Sequence, residues 1–176
     1  MFKNDSTGLW VFGYGSLIWR PAMPVVVSYK ATVKDWSRRF WQGSHDHRGT
    51  PESPGRVLTL VSMPGQKCEG RVFGIAETDL EQTLQQLDYR EKNGYERQQV
   101  KVQTTEKGTI DALTYIAPVT NPAWLGDASD VVIANQVQHA NGLSGSNKDY
   151  VLSLHTSLLA DGISDEHIKS IAELLV

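Results

Sequence analysis

The hydrophobic period of this chain changes near residue 78, and that change limits what it can fold into. Before it, Leu9–Phe12, Val25–Val33, Arg56–Val61 and Gly70–Ala76 are short runs of β-branched or alternating residues, separated by Pro and Gly. After it, Thr78-x-x-Glu81 has the form of a capping box, and Leu80, Leu84 and Leu87 recur at helical spacing up to Asn93-Gly94. Val100–Thr104 and Thr109–Ala117 predict a hairpin around Glu106-Lys107-Gly108. Helices are expected at about Asp130–Ala140, Asp149–Ala160 and Asp165–Leu175, with Gly142 and Gly162 as terminators. Ile163, an N-cap Ser164 and Ile168 have the spacing of a hydrophobic staple. The expected class is α+β. A chain of 176 residues without repeat or linker reads as one domain, residues 1–176, able to bury a core without disulfides or a structural metal.

Charge and cysteine usage narrow the function. A formal net charge of −3 lacks the basic excess of a nucleic-acid or membrane binder. The single cysteine, Cys68, forbids an intrachain disulfide, which suits a reducing cytoplasm. The first eight residues carry an acid and no long apolar core, so no signal peptide is expected. No run approaches the ~20 apolar residues of a membrane span. The chain reads as cytoplasmic, with a small-molecule partner and neither nucleic acid nor membrane; its oligomeric state is not legible.

Two places could carry chemistry. The apolar run Leu9–Phe12 breaks at Gly13 and Gly15, with Tyr14 between them and Ser16, Leu17 and Ile18 following. Glycines there permit positive φ and close approach to the main chain. A Gly-x-Gly turn at a strand end gathers backbone N–H groups into a nest for carboxylates and oxyanions; a tight turn leaving a core strand fits the same residues. Glu91 lies eleven residues after Leu80, close to three helical turns, on the face of Leu80, Leu84 and Leu87. A carboxylate completing an apolar stripe is desolvated and its pKa raised, which suits a base that must later act as an acid. From pattern alone, an exposed acid at a frayed helix end beside Arg90 and Lys92 is the plainer reading.

Segment 38–56 holds four arginines (Arg38, Arg39, Arg48 and Arg56) against two acids, Asp46 and Glu52. Arginine suits forked recognition of carboxylates, although ordinary salt bridges account for at least two of the four. Arg48, in the polar loop 42–55, is the preferred substrate contact. His45-x-His47 has no further ligand at metal-site spacing, since His139, His155 and His167 are scattered. Trp36, Phe40 and Trp41 read as core or pocket wall, and Cys68 as a buried or merely free thiol.

Gly13-Tyr14-Gly15-Ser16-Leu17 resembles the opening signature of the γ-glutamylcyclotransferases, and the chain resembles their ChaC-like branch. Ser37–Ser44 with Asp46-His47-Arg48-Gly49 and Pro54–Val57 is similar to the family's second block, and Leu87–Tyr95 to the block with the catalytic carboxylate. Asn121-Pro122, Leu125-Gly126, Gly142–Gly145, Asn147 and Tyr150 extend the likeness. The chain departs at Asn93, Ser146 and Asp149, where the pattern has glycine, arginine and glutamate. The resemblance implies a barrel-like mixed sheet with helices outside. It also implies cyclisation of a γ-glutamyl group to 5-oxoproline, with glutathione as substrate and Glu91 as base and then acid. Gly13–Ile18, Arg48 and Tyr150 would contact substrate, and no metal or cofactor is required. A catalytically silent binding module using the same pocket, and an oligonucleotide binder using Arg38–Trp41 and Arg48, are the competing readings.

Overall fold

β-branched and alternating residues carry the strands further than the short runs suggest. In the computed structural model, which describes residues 6–176, the long strands are β1 (Thr7–Gly13), β2 (Val25–Ser44), β3 (Gly55–Ala76), β4 (Glu96–Thr104) and β5 (Gly108–Ile116). The runs expected at Arg56–Val61 and Gly70–Ala76 are the two ends of the single strand β3. Pro64-Gly65, which reads as punctuation, lies in an exposed stretch of that strand. There Gly65 takes φ +84° and donates its N–H to the Asp35 carboxylate at 2.8 Å. The helices are α1 (Leu80–Arg90), α2 (Asp130–His139), α3 (Asn147–Ala160) and α4 (Glu166–Leu174); a two-stranded ribbon, β6 (Asn141–Gly142) and β7 (Gly145–Ser146), precedes α3. Among the described residues no helix is long and apolar enough to cross a membrane.

The chain forms two compact units, one of residues up to Trp36 with Met63–Ile116, the other of Ser37–Ser62 with Ala117–Val176. The long strands close a mixed barrel in the order β1–β3–β2–β4–β5. In the first unit β1 runs antiparallel to β3 (Val11 opposite Phe73) and parallel to β5 (Val11 opposite Leu113). The expected hairpin is present, β4 pairing antiparallel with β5 from Glu96↔Ile116 to Thr104↔Gly108. Val11, Ile75 and Tyr115 from three strands bury Leu87 of α1 in one cluster, and Leu17 packs against it. The residues after β1 and the last turn of α1 therefore share a core, which fixes one relative to the other.

Both ends of α1 differ from the sequence reading. The Thr78 capping box does not form: Glu77–Asp79 is a 3-10 turn, and Asp79 is the N-cap without a side-chain bond. The chain there is held against β1, since Glu77 donates its N–H to the Ser6 carbonyl at 3.2 Å and a Cβ on Gly8 would come within 2.6 Å of Glu77 Cα. At the other end α1 stops at Arg90 instead of Asn93, with Glu91 as C-cap at φ −96°, ψ 23°. Gly94, at φ +85°, completes the turn that follows.

In the second unit α2, α3 and α4 pack on one another through buried Ile133, Val137, Val151, Leu154, Leu158, Ile168 and Ile171. Gly162 (φ +70°) follows the end of α3 as expected. Gly142 is no terminator: α2 ends at an extended Ala140, and Gly142 pairs with Gly145 in the ribbon. The N-cap of α4 is Asp165, not Ser164, accepting the Ile168 N–H at 3.2 Å. The reason is a second tie on the same carboxylate, which also forms an ion pair with buried Arg38, Nε 2.9 Å away.

Candidate active site

β1 delivers its last residues into a sharp turn. Gly13 ends the strand, and Ser16–Ile18 forms a single 3-10 turn closed by Ile18 N–H to Gly15 O at 2.9 Å. Neither Gly13 nor Gly15 has positive φ, so the conformational freedom expected of them is not what the turn uses. Close approach is the reason at Gly13, where a Cβ would lie 2.9 Å from both Leu17 Cβ and Phe73 Cε2. Tyr14 turns inward, 8% exposed, and donates its hydroxyl to the Tyr115 carbonyl at 2.6 Å. The first N–H groups of such a turn have no partner within the turn itself.

Glu91 ends α1 with its N–H on the Leu87 carbonyl at 2.9 Å. Its side chain keeps 21% of its exposure. Burial pushes the carboxyl above the ordinary range, and the Arg90 guanidinium, Nε 3.8 Å from Glu91 Oε1, partly opposes that. Arg90 also reaches the turn, with Nη2 2.6 Å from Ser16 Oγ and Nη1 3.0 Å from the Arg20 carbonyl. Asp88 points another way: it accepts the Tyr115 hydroxyl at 2.7 Å and a two-pronged bond from Arg97 of β4. These bonds hold Asp88 below the usual carboxylate range, Arg97 first. The structure thus brings Gly13–Ile18 and Glu91 together in the first unit, through Arg90 and the shared core.

Arg48 and Tyr150 lie in the second unit and meet each other, the guanidinium carbon 5.3 Å from the ring centroid. Arg48 Nη1 donates to the Ser146 carbonyl at 3.1 Å, and its N–H to Ser44 Oγ at 3.0 Å. The loop that carries Arg48 is shorter than expected, 45–54, because β2 runs to Ser44. Leu143 and Ser144 donate their N–H groups to its Asp46 and His47 carbonyls at 2.8 and 2.9 Å. Two of the four arginines are structural. Arg38 is buried on Asp165, and Arg56 gives its side chain to Gln136 (2.7 Å) and to the Phe40 and Gly126 carbonyls (2.8 and 3.2 Å). Asn147 explains its place in the motif by pairing both ways with the Arg56 backbone, at 2.7 and 2.8 Å. His47 Nδ1 lies 2.9 Å from Ser144 Oγ. Among the described residues no group of three or more His, Cys, Asp or Glu could hold a metal ion.

Sequence reasoning saw Arg90 only as a charge beside Glu91. Its partner Ser16 is 74 residues away, and no local spacing reports such a pair.

The model of the family of ChaC-like proteins matches residues 9–176. Glutathione-specific γ-glutamylcyclotransferase 1 of Rattus norvegicus is 37% identical over 176 residues, covering 97% of this chain and 79% of its own length. Glutathione-specific γ-glutamylcyclotransferase of Escherichia coli (strain K12) is 31% identical over 171 residues, covering 96% of this chain and 73% of its own length. A crystal structure of a γ-glutamyl cyclotransferase specific to glutathione from yeast superposes with a TM-score of 0.90 at 27% identity, covering 96% of each chain.

Proposed function

The chain belongs to the family of ChaC-like proteins, and from that premise we propose that it is a glutathione-specific γ-glutamylcyclotransferase with Glu91 as its base. The match over residues 9–176 supports treating both units as one γ-glutamylcyclotransferase-like domain. The observation that carries the role of Glu91 is its setting: a carboxylate largely withdrawn from water, raised in pKa by that burial, and linked through Arg90 to the glycine turn.

The reaction is intramolecular. The α-amino nitrogen of the γ-glutamyl group attacks its own γ-carbonyl carbon. A C–N bond forms within the new five-membered ring, and the amide bond to the cysteine nitrogen breaks, giving 5-oxoproline and Cys-Gly. The α-ammonium first gives up one proton to become the attacking amine. Glu91 takes the second proton from that nitrogen as the ring closes and returns it to the departing amine, which regains the first from solvent, so Glu91 ends as it began. Because the nucleophile is tethered, the main task is to hold the ring-closing pose, which can lower the barrier by about 7–11 kcal/mol. Backbone N–H groups at the start of the turn within Gly13–Ile18 hold the glutamyl group, and preorganised donors of this kind also stabilise an oxyanion. Arg48 beside Tyr150 offers a cation and a phenol suited to a carboxylate. Cys68, a buried thiol in no disulfide, accords with work in the reducing cytoplasm.

The test is to incubate the purified protein, with chelator present, with glutathione and separately with a γ-glutamyl dipeptide, and to assay 5-oxoproline by mass spectrometry. Release from glutathione alone is expected. Release from the dipeptide alone would keep the mechanism and change the substrate, and no release from either would refute the reading.

A further inference from the structure

Arg90 makes more contacts than a cation at a helix end needs. A basic residue in the last turn complements the helix dipole wherever its charge points, and an exposed ion pair contributes little. Here the guanidinium is directed. Nη2 holds Ser16 Oγ, at the first residue of the 3-10 turn, and Nη1 holds the Arg20 carbonyl just beyond its end. Arg20 in turn donates its N–H to the Ser16 carbonyl at 2.8 Å, so the guanidinium brackets a closed loop at both sides. The third nitrogen, Nε, faces the Glu91 carboxylate. The Arg90 side chain is only 28% exposed.

We propose that Arg90 is a positioning residue for ring closure: its guanidinium fixes the Ser16–Ile18 turn against the end of α1 and so sets the placement of the Glu91 carboxylate relative to the turn. This rests on the cyclotransferase reading above. Arg90 does not touch the reacting atoms. It acts through Ser16 on the group that holds the substrate, and through Glu91 on the group that moves the proton. Besides burial, the charge acting on Glu91 is that of Arg90.

The experiment compares wild type with Arg90→Gln, Arg90→Lys, Ser16→Ala and the double variant Arg90→Lys/Ser16→Ala. It measures kcat and KM for glutathione across pH and thermal unfolding for each. Arg90→Gln is expected to lower kcat by at least about tenfold, in keeping with the cost of misplacing a reacting group. It is also expected to move the acid limb of the kcat profile to higher pH, because the cation favouring ionised Glu91 is gone. Arg90→Lys keeps the charge and loses the fork, so its acid limb stays near that of wild type while its KM rises. Ser16→Ala raises KM without moving the limb. The double variant should be no worse than the poorer single one, since both break one connection. A wild-type acid limb in folded Arg90→Gln overturns the inference while leaving the cyclotransferase reading intact. So do independent, multiplying effects of Arg90→Lys and Ser16→Ala, which decide the matter even where Arg90→Gln fails to fold. A wild-type protein that releases no 5-oxoproline overturns both.

Discussion

Glu91→Gln should separate activity from stability, with opposite signs. The side chain is nearly isosteric, so the C-cap geometry and the bond from Glu91 N–H to the Leu87 carbonyl remain. Loss of a general base costs about 10²- to 10⁴-fold in rate, about 2.7–5.5 kcal/mol of barrier at 1.36 kcal/mol per factor of ten. The proposed binding site is the turn rather than the proton acceptor, so KM for glutathione should change little. Stability runs the other way. Burial raises the Glu91 pKa in the folded protein above the unfolded value near 4.5, with Arg90 opposing in part. Between those two pKa values the native state holds more protons than the unfolded one, and stability therefore falls as pH rises. Above the folded pKa the whole penalty remains, about 1.4 kcal/mol for each unit of separation. Gln carries no such penalty. Urea titrations at pH 4 and pH 8 should thus show the variant close to wild type in acid and more stable in mild base. A Glu91→Gln protein with wild-type kcat would remove Glu91 from the chemistry. A stability difference that ignores pH would mean that the carboxylate is not desolvated, and the physical argument for its role would fail with it.

Two further perturbations test other parts of the chain, one in each unit. Gly13→Ala puts a Cβ 2.9 Å from Leu17 Cβ and Phe73 Cε2, an overpacking that should cost about 1–3 kcal/mol and raise KM as Leu17 shifts; an unchanged melting temperature and KM would show that the turn tolerates the methyl. His167 accepts the Phe40 N–H on Nε2 at 3.2 Å and sets Nδ1 3.2 Å from Asp130, and burial, then the charge of Arg39, hold its pKa below 6.5. The native state then binds fewer protons than the unfolded chain below that value, so stability is present above pH 6.5 and is lost as pH falls through the window beneath it. His167→Gln should flatten that slope in denaturation measurements from pH 7 to pH 5, and an unaltered slope would contradict the assignment.

What the sequence made legible is what repeats locally. The β4–β5 hairpin, the middles of α2, α3 and α4, and the apolar stripe leading to Glu91 all follow from periodicity and turn chemistry. The misreadings sit where a distant group decides a local choice. Ser164 is as good an N-cap as Asp165 until Arg38 supplies a counter-charge to the second. Thr78 would cap α1 if the chain before it were not held against β1. Pro64-Gly65 looks like the end of a strand, yet Asp35 takes up the Gly65 N–H and β3 continues. The four arginines look alike in sequence; burial and partners separate Arg38 and Arg56, which hold the second unit together, from Arg48, which lies beside Tyr150.

The early end of α1 gives the candidate site its order. Successive helical residues are rotated by about 100°, so Asp88, Arg90 and Glu91 leave the axis in different directions. Asp88 is bonded to Tyr115 of β5 and Arg97 of β4, and Arg90 to the turn after β1. Leu87, between them in the same last turns, is buried against Val11 and Ile75. The helix end is therefore tied on three sides before Glu91 is placed, and Tyr14 extends the tie by bonding the carbonyl of the same Tyr115. A carboxylate held this way loses little further freedom when substrate binds. Rigid support of that kind is what the proposed reaction asks of a single proton carrier that serves both halves of a ring closure. The polar residues around Glu91 thus have a purpose that the apolar stripe does not reveal: burial raises its pKa, and Asp88 and Arg90 hold it in place.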